Sequence, residues 1–177
     1  MSVASSRHRN SHLVANEPES YLADFEFALL RFREAFEHWV VDATKATTDI
    51  DLTFAELCIL HTVRVQGRPT GGGGVARMLN RDDIPNIHYI LRKLAKMKLI
   101  LPLKEKGGRA VNYSVTPEGV QLTNAYAEIK RAILWDDLNE VAKLNEKLSN
   151  CTRTLSMLTG VYEEAARAAA TYSPEKE

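Results

Sequence analysis

Residues 83–119 read DIPNIHYILRKLAKMKLILPLKEKGGRAVNYSVTPEG, and the apolar period changes partway along them. Ile87, Ile90, Leu91, Leu94 and Met97 recur at helical spacing and form one apolar face. Asn86, His88, Tyr89, Arg92, Lys93 and Lys96 lie elsewhere around that helix. Asp83 is placed to cap it, with Pro85 tolerated in the first turn. Then Leu99–Glu105 and Ala110–Val115 form two short, partly alternating segments around Lys106-Gly107-Gly108, which predicts a β-hairpin with a glycine turn. Thr116-Pro117-Glu118 starts the next helix, with threonine as cap and proline at the first position.

Upstream, Val75–Leu79 predicts a short helix, and the preceding run Gly71-Gly72-Gly73-Gly74 reads as a flexible lead-in to it. A phosphate-binding loop would need Lys-Ser or Lys-Thr after the last glycine, and Val75-Ala76 stands there instead. Further upstream, Thr53 and Glu56 form a T-x-x-E capping box with Leu52 and Leu57 as its staple. That helix runs through Leu60 and Val63 to Gly67-Arg68-Pro69. Before it, Asn16-Glu17-Pro18 starts a helix of about seven turns, along which Leu22, Phe25, Leu29, Phe32, Phe36, Trp39, Ala43 and Ala46 recur at steps of three and four. Residues 1–15 are polar and aperiodic and predict a disordered arm.

Downstream, Leu122, Tyr126, Ile129 and Ile133 mark one helix. After a break expected near Asn145, a seven-residue repeat runs through Leu144, Leu148, Cys151, Leu155, Leu158, Tyr162, Ala165 and Ala169. The whole is mostly α with a small β-wing, a winged helix-turn-helix with long terminal helices. The expected domains are the arm at 1–15, a helical dimerisation region at 16–50 and 117–172, and a winged helix-turn-helix at 51–116. The two terminal stripes hold more apolar surface than one small winged domain covers, which predicts a homodimer with Leu22, Phe25, Leu148, Leu155, Leu158 and Tyr162 in the seam.

The chain of 177 residues has no formal net charge, yet Arg77–Asn112 carries nine basic residues against three acidic ones, a net +6. Such a segment is either a solvated face or the footprint of a polyanion. The helix-turn-helix context favours duplex DNA. An α-helix fits the major groove, its N-terminal side chains reach base edges, and a hairpin arginine can enter the neighbouring minor groove. On this reading Asn86, His88 and Tyr89 contact bases or phosphates, and Arg81, Arg92, Lys93, Lys106 and Arg109 contact the backbone or minor groove.

A dimer of this kind fits a pseudo-palindromic operator. No apolar run is long enough to span a bilayer and no secretory signal opens the chain, so a cytoplasmic protein without a membrane partner is expected. Cys58 and Cys151 read as buried thiols. The five histidines lack metal spacing, no nucleophile elbow or paired-cysteine site is present, and neither an enzyme nor a bound cofactor or metal is expected. The remaining rival is a protein–protein adaptor built on the same scaffold.

These segments resemble the MarR family. Val75-Ala76-Arg77-Met78-Leu79 is similar to its L-A-x-x-L helix, and residues 86–100 match its recognition helix in apolar spacing. Arg109 through Gly119 aligns with its wing pattern R-x-x-x-V-x-L-T-x-x-G. The resemblance covers roughly residues 20–170 and leans toward the LdtR type, which implies control of genes for peptidoglycan L,D-transpeptidases and stress tolerance. The sequence departs at Gly107, where the wing usually carries an acid. It departs again at Lys98, where a glycine usually ends the recognition helix and where a different C-cap geometry is therefore expected. The resemblance also implies an apolar crevice for a small apolar or aromatic effector. Trp39, Val40, Ala43, Leu57 and His61 are the expected lining, since Trp39 with Ala43 and Leu57 with His61 each share a helix face. The alternative is that these residues simply pack the junction.

Overall fold

The computed structural model describes residues 12–104 and 111–172. The chain divides into two compact units, residues 1–129 and 130–177.

The first unit begins with α1 (Glu17–Lys45). The Asn16 side chain accepts the Glu19 N–H, and Pro18 occupies the first turn. The expected capping box opens α2 (Phe54–Val65): Thr53 Oγ1 accepts the Glu56 N–H, and the Glu56 carboxylate accepts the Thr53 N–H at 3.0 Å. Gly67, at φ +62°, ends this stretch in the left-handed region.

The short helix starts earlier than expected. Gly72, Gly73 and Gly74 are its first turn, so α3 spans Gly72–Leu79 and the glycine run is no flexible lead-in. Close approach explains Gly72 and Gly74, whereas a β-carbon on Gly73 would meet nothing within 4 Å. A β-carbon on Gly72 would meet the His88 ring at 2.6 Å, and one on Gly74 would strike the Thr70 hydroxyl.

The turn at Asn80–Asp83 leads to α4 (Ile84–Lys96). Lys98 takes φ +60°. The Lys98 N–H donates to Ala95 O and the Leu99 N–H to Leu94 O, both at 3.0 Å, the two bonds of a Schellman motif, with the buried pair Leu94 and Leu99 against it. The expected change of C-cap geometry is thus corrected: lysine adopts the glycine conformation, because the buried pair and both hydrogen bonds require it.

β1 (Ile100–Lys104) pairs antiparallel with β2 (Val111–Val115) in the register Ile100 to Val115 through Lys104 to Val111. Thr70 adds a single bridge on the other side, its N–H and carbonyl both bonded to Tyr113. α5 (Pro117–Ile129) follows, capped by Thr116, whose Oγ1 accepts the Gly119 N–H and donates to Lys98 O.

Leu57, Ile59, Leu60, Val75, Ile87, Leu91, Leu94, Leu99 and Ile100 form the centre of one core, each at most 1% exposed. Full burial of such side chains stabilises by about 1.5–3 kcal/mol each. Arg64 bolts α2 to α5: its guanidinium donates to Val120 O at 2.7 Å and to the Thr123 and Asn124 side chains.

The second unit holds a π-helical segment (Lys130–Trp135), the short α6 (Asp136–Asn139) and α7 (Leu144–Ala170). The expected break comes slightly earlier than Asn145, in the turn that ends at Lys143 with φ +57°. No residue of α7 is buried, and Cys151 on it is exposed, which corrects the expectation of a buried thiol. Among the described residues no helix is long and apolar enough to cross a membrane.

Candidate nucleic-acid interface

α4 turns its apolar stripe inward: Ile87, Ile90, Leu91 and Leu94 are buried. Its other face is left to solvent. Asn86, Tyr89, Arg92 and Lys96 are all exposed, Tyr89 at 59%, and their spacing of three and four places them along one side of the helix. This is a row of amide, phenol and cations on the helix that the sequence marked for base reading.

The N-terminus of α4 is fixed by a small polar network. Arg81 donates from Nε to Asp83 Oδ1 at 2.8 Å and from Nη2 to Oδ2, while the Asn86 amide donates to Oδ2 at 3.1 Å. Asp83 sits at the cap position, but its carboxylate takes these side chains and caps no N–H of the helix, a correction to its expected capping role. The Arg81 hydrogen bond, followed by that of Asn86, holds the Asp83 carboxyl down at about 2. Arg81, expected as a DNA contact, is therefore committed to Asp83 and positions the turn.

Lys93 is likewise committed. Its Nζ lies 2.6 Å from Oε1 of Glu56, whose side chain is nearly buried. This hydrogen bond raises the lysine pKa. His88 is half-buried, with its ring over Gly72 of α3. Lys106 and Arg109 lie outside the described residues, as does the expected turn Lys106-Gly107-Gly108.

The sequence reading passed over one feature beside α4. A surface recess of about 420 Å³ at the start of α3 is lined by Arg68, Thr70, Gly71, Gly73, Arg77 and Asn112 among others. Arg68 and Arg77 are exposed and form no ion pair among the described residues. The signal was available in Arg68-Pro69 and in the glycines, which permit close backbone approach. The sequence offered no way to tell that Asn112 of the hairpin comes to the same place.

The expected effector residues divide. Val40, Ala43 and Leu57 are at most 4% exposed and belong to the core, so they line no open crevice here. Trp39 and His61 are half-buried. The His61 ring meets Tyr126 of α5 edge-on at 4.9 Å, and the Trp39 Nε1 is buried with no hydrogen-bond partner among the described residues. Burial pushes the Tyr126 pKa up, and the nearby Trp39 indole opposes it. Cys58 is half-buried, and desolvation raises its thiol pKa, the reverse of an activated cysteine. Among the described residues no three His, Cys, Asp or Glu side chains are grouped to hold a metal.

The family model of a winged helix DNA-binding domain matches residues 52–119, from the staple before α2 to the first turn of α5. A MarR-family transcriptional regulator from Rhodococcus sp. RHA1 is similar in structure over 76% of this chain and 93% of its own, at 18% identity and a TM-score of 0.60. The chain has the MarR-family fold. The organohalide-sensing transcriptional regulator RdhR is similar to it over 92% of both chains, at 17% identity and a TM-score of 0.63. S. aureus MepR, in a complex with DNA, is similar over 76% of this chain and 97% of its own, at 21% identity and a TM-score of 0.61. No curated protein matches the sequence. The matched segment is described as a DNA-binding domain, and the similar structures share the fold around it.

Proposed function

We propose that the chain is a homodimeric regulator that binds duplex DNA in a sequence-specific way through α4 and the hairpin. The observation that carries this reading is the outward row Asn86, Tyr89, Arg92 and Lys96 on α4, the third helix of a matched winged helix DNA-binding domain. Asn86 stands at the end of α4 that reaches base edges in such domains. Arg92, Lys96, Arg68 and Arg77 are free to neutralise phosphates. MepR, solved with DNA, supports the same partner.

The homodimer is supported by apolar side chains left open on both long helices. Leu22, Leu29 and Phe32 on α1 are 42–65% exposed, and Leu148 and Tyr162 on α7 are 44–47% exposed. Phe25, Leu155 and Leu158 are half-buried. In this reading residues 16–50 and 117–172 form the dimerisation region and 51–116 the DNA-reading domain, in the cytoplasm.

Footprinting on genomic DNA tests the function. Protected sites should carry two inverted half-sites about 34 Å apart, or a multiple of that. Asn86→Ala or His88→Ala should change base preference, and Arg109→Ala should weaken binding across sequences. A protein that protects no duplex is an adaptor instead.

The response to a small apolar or aromatic effector rests on Trp39 and His61 beside Tyr126, an aromatic cluster with polar edges. RdhR has been solved with 2,4-dichlorophenol bound, a weakly acidic aromatic of the class such a cluster suits. The effector would act by binding better to the form that does not fit DNA. Aromatic acids should release labelled operator from the native protein and lose potency on Trp39→Ala and His61→Ala. Control of L,D-transpeptidase and stress genes is carried by the resemblance to the LdtR type, and occupancy of those promoters tests it.

A further inference from the structure

The inward stripe of α4 is entirely aliphatic and decides which face turns to the core, but apolar contact alone tolerates small tilts and slides. One polar side-chain contact ties the body of the helix to α2. Glu56, 4% exposed in the first turn of α2, uses both oxygens: Oε2 accepts the Thr53 N–H at 3.0 Å, and Oε1 takes Lys93 Nζ at 2.6 Å. The same carboxylate closes the cap of α2 and grips the recognition helix 37 residues further along the chain. Lys93 lies two turns after Asn86, about 10 Å along the axis. A tilt of about 6° about that grip carries the base-reading end roughly 1 Å, enough to spoil a hydrogen bond.

We infer that Lys93 is a positioning residue rather than a phosphate contact: pinned by the buried Glu56, it sets the orientation in which α4 presents Asn86 and Tyr89 to the bases. The inference rests on the DNA-binding reading above and assigns Lys93 a role opposite to that of its neighbour Arg92. Arg92 is exposed and unpaired among the described residues, so on DNA it releases counterions. The charge of Lys93 is already matched by Glu56, so it releases none.

The two roles separate in the salt dependence of binding. Arg92→Ala should lower the slope of log affinity against log salt by about 0.9 and weaken operator and random duplex alike. Lys93→Ala should leave the slope and the affinity for random duplex unchanged, and weaken operator binding about tenfold. Glu56→Gln should reproduce it, and Lys93→Arg should restore most of the loss. A drop in slope for Lys93→Ala, with equal losses on both duplexes, would overturn the assignment. Amide hydrogen exchange across residues 84–96 gives a readout that needs no DNA. Exchange should quicken in Lys93→Ala and not in Arg92→Ala, and an unchanged pattern refutes the pin. If the native protein binds no duplex, the DNA reading fails, while this exchange result still decides whether Glu56 holds α4.

Discussion

In the winged helix, Leu57, Leu60, Leu91 and Leu94 are wholly withdrawn from water, whereas on the α7 repeat Leu148 and Tyr162 are 44–47% exposed and Leu155 and Leu158 only half-buried. Both sets recur at helical spacing. The difference lies in what surrounds them. α2, α3, α4 and the hairpin close round one another within a single chain, while the repeat along α7 buries nothing in its own unit. α1 shows both behaviours along one helix: Val40 and Ala43 near its end belong to the core, while Leu30 and Phe32 are 55% and 65% exposed. A periodic stripe therefore reports that a side chain needs a partner, not whether that partner lies in the same chain.

One substitution made in both regions gives the largest contrast. A β-carbon on Gly119 would collide with the Leu99 carbonyl oxygen, so Gly119→Ala should cost about 4 kcal/mol, comparable to a deletion in the core. On α7 a β-carbon on Gly160 meets nothing within 4 Å, so Gly160→Ala should stabilise by up to about 1 kcal/mol through helix propensity. Urea titration measures both, and equal signs would erase the distinction. Next in size is Leu158→Glu. Sedimentation should show the dimer dissociation constant raised at least about 100-fold, roughly 2.7 kcal/mol, with the winged region still folded by circular dichroism. Loss of fold instead would place Leu158 inside a single-chain core.

A smaller effect tests the hinge between recognition helix and hairpin. Lys98 sits at φ +60°, where glycine pays no steric penalty, so Lys98→Gly should stabilise by about 0.5–1 kcal/mol in the same titration. The smallest effect belongs to Asp83. Its carboxyl is held below its ordinary 3.8 at about 2. Its folded pKa is depressed, so its contribution is complete above about pH 4 and disappears as the pH falls through about 2. Asp83→Asn should flatten the stability profile in that window, and an unchanged profile would separate the Arg81 contact from folding.

What the sequence made legible was local. Asn16, Thr53 with Glu56, and Thr116 each cap within three residues, so their geometry is implied by their spacing. The apolar face of α4 came from period, and the hairpin from period together with its glycine turn. What stayed hidden was tertiary. Lys93 read as a phosphate ligand because Glu56 is 37 positions away, and the Arg64 contacts with α5 span 56–60 positions. The glycines of α3 read as a flexible lead-in because the sequence does not show His88 and Thr70 pressed against them. Val40, Ala43 and Leu57 fitted a crevice by helical face, yet the same faces fill the core.

The 29 residues of α1 form one unbroken helix, about 44 Å from end to end. Val40 and Ala43 near its C-terminal end are set among the core side chains, and its N-terminal half exposes Tyr21, Leu22, Leu29 and Leu30 while burying only the small Ser20 and Ala23. Such a rod is a lever arm. A turn of about 5° at its embedded end sweeps the far end through nearly 4 Å by simple geometry on that length. In the dimeric regulator proposed above, which has to match a DNA period of about 34 Å, the first helix would supply mechanical gain, and displacements of a few tenths of an ångström near Trp39 would decide whether two reading heads stay in step with the groove.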